Sequence, residues 1–292
     1  MSLTLCFETT SFAQGAKLPD LHARLTELYE VSTSARLYGD EFFKCEDIYG
    51  IPFDGKTELA DWMYDNSTGN NVGERKLLTQ LIDRTPSMES SEYQTFCAEV
   101  GSGSSSQQVA LVFLRIPHQQ YALHVTTIHE LIIAHRHYLI NCPDIESFLE
   151  EVKLCFTNLF FHDNVADSLK TLSKPFEDYK YEIIRHLTAL NDQFPFVVQQ
   201  NPKQKMGVVL KAFQSLTQIA ASMEGVGNKS SAAKRFEFEF KDADGTPVKI
   251  ICEPHTKFEL DMKQRFDRLY FFQGLPEIEE GKILIAHIGK HL

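Results

Sequence analysis

Residues 235–240, Arg235-Phe236-Glu237-Phe238-Glu239-Phe240, alternate without a break, with three phenylalanines on one side and one arginine and two glutamates on the other. A period of two marks a strand with one buried face. Asp244-Gly245 follows as a hairpin turn, and Val248 to Cys252 supplies the partner strand. Two more strands read from Phe266 to Phe272 and from Lys282 to His287, the second after a turn over Glu277 to Gly281. Residues 235–292 therefore predict a small antiparallel sheet.

Upstream the period changes. His129 to Ile140, a segment opened by Asp144 with Ser147 in its first turn, Phe176 to Leu190, and Lys205 to Met223 all carry helical spacing. Pro195 and Pro202 stop continuation between the last two. Glu224 to Ser231, EGVGNKSS, reads as the hinge between this helical section and the sheet. Nearer the N-terminus the signals are mixed. Leu3 to Phe7 and Val109 to Ile116 read as strands, and Leu18 to Tyr29 and Glu74 to Arg84 as helices. Asn66 to Gly73 and Gly101 to Ser106 read as polar loops. The predicted fold class is α+β, with a mixed N-terminal part over 1–126, a helical middle over 127–224 and an antiparallel sheet over 235–292.

Composition bounds the function. An apolar share of 43% with 24% charged residues excludes wholesale disorder. With 29 Lys and Arg against 40 Asp and Glu, the net charge of −11 argues against broad wrapping of nucleic acid but leaves a local basic site open. The segment 234–292 is far less acidic, with 10 basic against 11 acidic residues. No apolar run approaches the roughly 20 residues that cross a bilayer, so no membrane association is expected. The N-terminus has no basic region ahead of an apolar stretch, and the six cysteines are scattered with no Cys-x-x-Cys pair. Reduced thiols and a cytoplasmic location are expected.

Three pieces of the terminal segment carry a resemblance: Pro254-His255-Thr256-Lys257, then Arg265-Phe266-Asp267-Arg268-Leu269-Tyr270-Phe271, then Lys282-Ile283-Leu284-Ile285-Ala286-His287-Ile288-Gly289-Lys290-His291-Leu292. In order and spacing they resemble the closing sheet of the RelE/HigB-type toxin superfamily. The resemblance covers about a fifth of the chain, and a large protein ending in such a module looks like a bacterial antiphage-defence or toxin-type component. It implies that Arg268, Tyr270, Lys290 and His291 serve RNA cleavage. Those toxins are compact and basic, whereas this chain is acidic and carries some 230 residues in front.

The residue types are suited to that chemistry on their own account. Cleavage by 2′-hydroxyl attack needs a base, positive charge for the phosphorane and an acid for the leaving oxygen. His255 or His291 supplies base or acid. Arg268 is a fixed planar cation for phosphate, Tyr270 stacks a base or acts as an acid, and Lys257, Lys290 and His287 are candidates for contact with the nucleic acid. No metal or cofactor is required. On the strands, Arg268, Tyr270 and Phe272 share one face, while Ile283, Ile285 and His287 alternate with Leu284 and Ala286. The bland alternative pairs Arg268 with Glu253 or Asp267 and leaves Lys290-His291 solvated.

Other motifs fall away. His129-Glu130 opens a segment like the zinc-protease helix, but the next histidines are His135 and His137, and no ring lies four residues on at Ile133. On a strand His135 and His137 could share a face with His124 and hold a metal, but on a helix they diverge, and polar helix-face histidines are the favoured reading. The spacing of a phosphate-binding loop and the Gly-x-Ser-x-Gly elbow are both missing. Two functions stay in play. One is a metal-independent endoribonuclease of toxin or defence type acting on RNA. The other is a noncatalytic interaction subunit of a multi-protein defence complex, with a protein partner or a second copy bound through the helical middle.

Overall fold

A computed structural model describes residues 2–65, 71–102, 108–115, 123–225, 231–258 and 267–292. Parts of the expected loops at Asn66 to Gly73 and Gly101 to Ser106, the centre of the expected hinge at Glu224 to Ser231, and Arg265-Phe266 of the resemblance lie outside the described residues. The fold is α+β. The chain divides into two compact units, Met1–Asn141 and Cys142–Leu292.

The first unit holds β1 (Thr4–Phe7), α1 (Leu21–Tyr38), β2 (Glu41–Cys45), α2 (Leu59–Tyr64), α3 (Val72–Asp83), β3 (Ser87–Met88), α4 (Ser90–Ser102), β4 (Val109–Val112), β5 (His124–Val125) and α5 (Ile128–Tyr138). Its five strands are all parallel, in the order β3-β2-β1-β4-β5. Parallel strands need crossover helices, which here cover both faces. Leu5, Phe7, Ala110 and Val112 pack with α1, α3 and α5 on one side, while Cys6, Val109 and Leu111 meet Phe96 and Val100 of α4 on the other. Burial from both sides explains why β1 and β4 read as short apolar runs rather than alternating ones.

Local chemistry fixes the ends of these elements. Gly39 takes φ +79° after α1 and returns its N–H to Ala35 and Arg36, a left-handed stop that suits glycine. Thr127 and Glu130 form a capping box at the start of α5. This helix packs against α1 and β5, so α5 belongs to the first unit and the division falls at 141/142 rather than near 126. His135 is not on a polar face as expected. It is buried, and its Nε2 meets Asp40 Oδ2 at 2.9 Å, while Asp40 Oδ1 accepts the Leu3 N–H.

The second unit runs α6 (Ile145–Cys155), β6 (Leu159–Phe161), α7 (Val165–Leu169), α8 (Phe176–Asp192), α9 (Phe194–Gln200), α10 (Met206–Thr217), β7 (Ala221–Ser222), β8 (Glu237–Lys241), β9 (Pro247–Ile251), β10 (His255–Lys257), β11 (Arg268–Phe272) and β12 (Ile283–Gly289). Asp144 caps α6 through the Ser147 N–H at 2.7 Å. Five strands form a sheet in the order β6-β12-β11-β10-β7, antiparallel except for the β6–β12 pair. Two of these strands come from the stretch read as purely helical. The middle and the terminal segment are therefore one body, because β6 and β7 complete the terminal sheet at its two edges.

The alternating stretch is a strand only from Glu237, in a separate two-stranded hairpin, while Arg235 and Phe236 close a 3-10 turn over Ser231–Phe236. Phe236 and Phe240 are buried and Phe238 half-buried, between exposed Glu237 and Glu239. Asp242 Oδ1 accepts the N–H groups of Asp244 and Thr246 at the turn, and Gly245 sits at φ +79°. Phe240 and Ile250 pack on Leu284 and Ala286 of β12, so the hairpin covers one face of the sheet. The other face meets helices: Phe271 touches Phe194, and Thr256 Oγ1 bonds His186 Nδ1 at 2.8 Å.

Phe240→Asp should lower stability by about 3 kcal/mol or more, because it places an unpaired carboxylate under the hairpin. Urea or thermal melts of the variant check this, and an unchanged midpoint would mean that the hairpin does not cover the sheet.

Candidate functional site

Strand register brings the candidate residues together. Ser222, His255, Tyr270 and His287 stand directly opposite one another across β7, β10, β11 and β12. Residues paired in this way share a face at interstrand spacing. Two residues along, Lys257 stands opposite Arg268 and Arg268 opposite Gly289. Two residues beyond Ser222, Glu224 returns to the same face, just before Gly225 turns away at φ +72°.

Glu224 is the centre of the cluster. Its Oε1 accepts from Tyr270 OH at 2.9 Å and from Arg268 Nη1, and lies 3.3 Å from His255 Nδ1. Its Oε2 lies 3.7 Å from His291 Nε2. Arg268 Nη1 also reaches Tyr270 OH at 3.3 Å. The expected partners of Arg268, Glu253 and Asp267, are replaced by Glu224. Asp267 instead accepts from Ser173 and Tyr179, on the helical side.

The electrostatics follow from burial and neighbours. Burial pushes the Glu224 carboxyl up, but the Tyr270 hydrogen bond and the neighbouring His255, Arg268 and His291 together outweigh it and hold the group below its ordinary range. Burial lowers His255 to about 4, so its ring is neutral at pH 7. Both neighbours of its Nδ1, the Glu253 carbonyl at 3.1 Å and Glu224 Oε1, are acceptors, so Nδ1 carries the proton. Ser222 Oγ–H then donates to Nε2 at 2.9 Å. Burial drives the Tyr270 phenol up, which keeps it a donor.

The remaining candidates divide. His291 has its side chain 43% exposed and faces Glu224. Lys257 sits beside Arg268 in register at the half-buried end of β10. His287 lies beside Tyr270, with ring centroids 5.8 Å apart, and its Nε2 meets the Lys290 carbonyl at 2.9 Å. It therefore stands on the same face and ties down the backbone beyond the strand, where Lys290 is exposed. His287 reaches the Tyr270 face through a register shift between Tyr270 and Phe271, which sets Phe271 opposite Ile285. The expected grouping of Ile283, Ile285 and His287 on one face is thus broken by a bulge at Ala286.

Two residues were missed by sequence reading, Glu224 and Ser222. Both fell where Lys205 to Met223 reads as one helix followed by a hinge, but α10 stops at Thr217, with Gln218 left-handed at φ +59°. The spacing Ser222-x-Glu224 was the available signal. Among the described residues no group of three or more His, Cys, Asp or Glu side chains is placed to hold a metal ion. No described helix is long and apolar enough to cross a membrane. All six cysteines are free thiols, five of them buried.

His186 is also held neutral by burial, at about 3. In both histidines the folded value lies below the unfolded value of about 6.5, so the unfolded chain binds more protons between these limits. Stability is complete above pH 6.5 and is lost as pH falls toward the folded values. Each ring should remove about 2 kcal/mol between pH 7 and pH 5. Urea midpoints for the second unit at the two pH values test this, and equal midpoints would mean that the rings are protonated in the folded state.

No family model, curated protein or solved structure matches the chain, so the site is interpreted from its own geometry.

Proposed function

We propose that the Glu224 cluster is a phosphodiester-cleaving site that acts on RNA, in a cytoplasmic chain of the bacterial toxin or defence type its terminal segment resembles. The observation that carries this reading is the convergence of Arg268, Tyr270, His255 and His291 on one carboxylate. Glu224 holds the guanidinium in place through Nη1, while Arg268 Nε is buried and has no hydrogen-bond partner among the described residues. That N–H is an unspent donor for a phosphoryl oxygen. His291 is the exposed titratable group and hands a proton to the leaving oxygen. An incoming phosphate parts the 3.7 Å Glu224–His291 contact and takes its place between His291 and Arg268.

Preorganised positive charge at a developing phosphorane is the largest contribution such a site offers. Arg268→Ala should slow cleavage of an oligoribonucleotide by about 10²–10³, and His291→Ala by about 10²–10⁴. The purified chain is assayed with each variant beside its melting curve. His291 is the cleaner probe, since its exposure makes lost packing small. If both variants fold and match the parent, the noncatalytic interaction subunit takes this reading's place.

A further inference from the structure

The sheet face carries a nucleophile that the reading above leaves unused. Ser222 stands opposite His255 in the β7–β10 register, and its Oγ–H donates to His255 Nε2 at 2.9 Å. Behind the ring, Nδ1–H faces the Glu253 carbonyl at 3.1 Å and Glu224 Oε1 at 3.3 Å. Hydroxyl, imidazole and carboxylate thus follow one another in the order that activates a hydroxyl: a base within reach of the nucleophile, and acceptors that fix the tautomer of the base. Ser222 lies on an edge strand and is half-buried. Arg268, whose Nε–H has no partner among the described residues, is anchored to the same Glu224 oxygen that faces His255.

We propose that Ser222 is the nucleophile of this site and attacks the phosphorus of a phosphodiester directly. This rests on the phosphodiester reading of the Glu224 cluster and names the reacting group within it. Ser222 Oγ bonds to phosphorus while its proton passes to His255 Nε2. The bond from phosphorus to the leaving oxygen breaks, and that oxygen takes a proton from protonated His291. Water then attacks the phosphoseryl phosphorus and gives its proton to His291. The bond from phosphorus to Oγ breaks, and Oγ recovers its proton from His255. The sum is one phosphodiester and one water converted to a phosphomonoester and an alcohol. Glu224 is a positioning residue in this scheme, acting through His255 and Arg268. Because the protein supplies the attacking oxygen, the substrate needs no 2′-hydroxyl, and the substrate class widens to phosphodiesters of DNA as well as RNA.

The test compares two oligonucleotides of one sequence, all-ribose and all-2′-deoxyribose, with the purified full chain and its Ser222→Ala variant. The expected result is that the parent cleaves both and that Ser222→Ala slows both by about 10³ or more, as loss of a nucleophile does in a relay of this kind. Quenching the parent during turnover of phosphorus-labelled oligonucleotide should leave label on Ser222. This last measurement decides the matter even if the variant fails to fold. Cleavage of the ribose strand alone, or full activity of a folded Ser222→Ala, overturns the Ser222 proposal and leaves 2′-hydroxyl attack at the same site. A parent that cleaves neither strand removes the phosphodiester reading itself, and the Ser222 proposal with it.

Discussion

Glu224 has a side chain only 12% exposed and is held ionised, and a charge so far from water needs donors close by. Tyr270 and Arg268 supply them from β11, two residues apart on one face, and His255 closes the third side from β10. Satisfying the carboxylate therefore requires three strands in one register. It also requires β7 to lie at the sheet edge next to β10, because Glu224 follows Ser222 with a single residue between them. A slip of one residue in any of these pairings would turn Arg268, Tyr270 or His255 to the helical face. The helices enforce the same register from behind, since Thr256 must meet His186 and Phe271 must meet Phe194.

Much of this was legible in the sequence, and the reason differs from element to element. Glu237 to Lys241 alternates because one hairpin face is buried and the other wet, so its pattern survives in a single sequence, although Arg235 and Phe236 ahead of it belong to a 3-10 turn. Asp144 and Ser147 mark a helix start because an unpaired N–H needs an acceptor three residues away. Arg268, Tyr270, His255 and His291 were selected by chemical type; strand register brings the first three to Glu224, and His291 reaches it from beyond β12. The edge strands β6 and β7 were hidden because they span three and two residues, too few for any period to show. Glu224 was hidden with them. The parallel order of the first unit could not be read either, since strands buried on both faces lose the alternation that separates them from buried helix.

The bulge in β12 shows how one backbone irregularity sorts these residues. Without it, Ile285 and His287 would share a face, and either His287 would turn toward the helices or Ile285 toward the hairpin. The extra residue at Ala286 lets Ile285 stay with Phe271 in the helical core while His287 joins Tyr270. His287 then spends its Nε2 on the Lys290 carbonyl, which fixes the chain end that carries His291. A histidine that looked like a contact for nucleic acid thus holds the backbone from which the exposed histidine reaches Glu224.

Stability alone is a poor reason for such a cluster. Removing a carboxylate and a guanidinium from water costs several kcal/mol each, and apolar residues of like volume often do as well or better in the same place. The surroundings of this face take that simpler course: Phe236 packs at a tilt beside Tyr270, with ring centroids 5.5 Å apart, and Phe240 of the hairpin meets Leu284 and Ala286 of β12. The charged groups are confined to the end of the face that the hairpin core leaves to β7, β10 and β11. There Arg268 keeps one buried N–H unspent and Glu253 keeps Oε1 without a partner among the described residues, although a site built only to hold the sheet together would gain by pairing both. A guanidinium with one N–H unpaired among the described residues, a hydroxyl on a neutral imidazole and an exposed histidine are what a phosphodiester would use. That combination is what supports the proposed chemistry over a purely structural role.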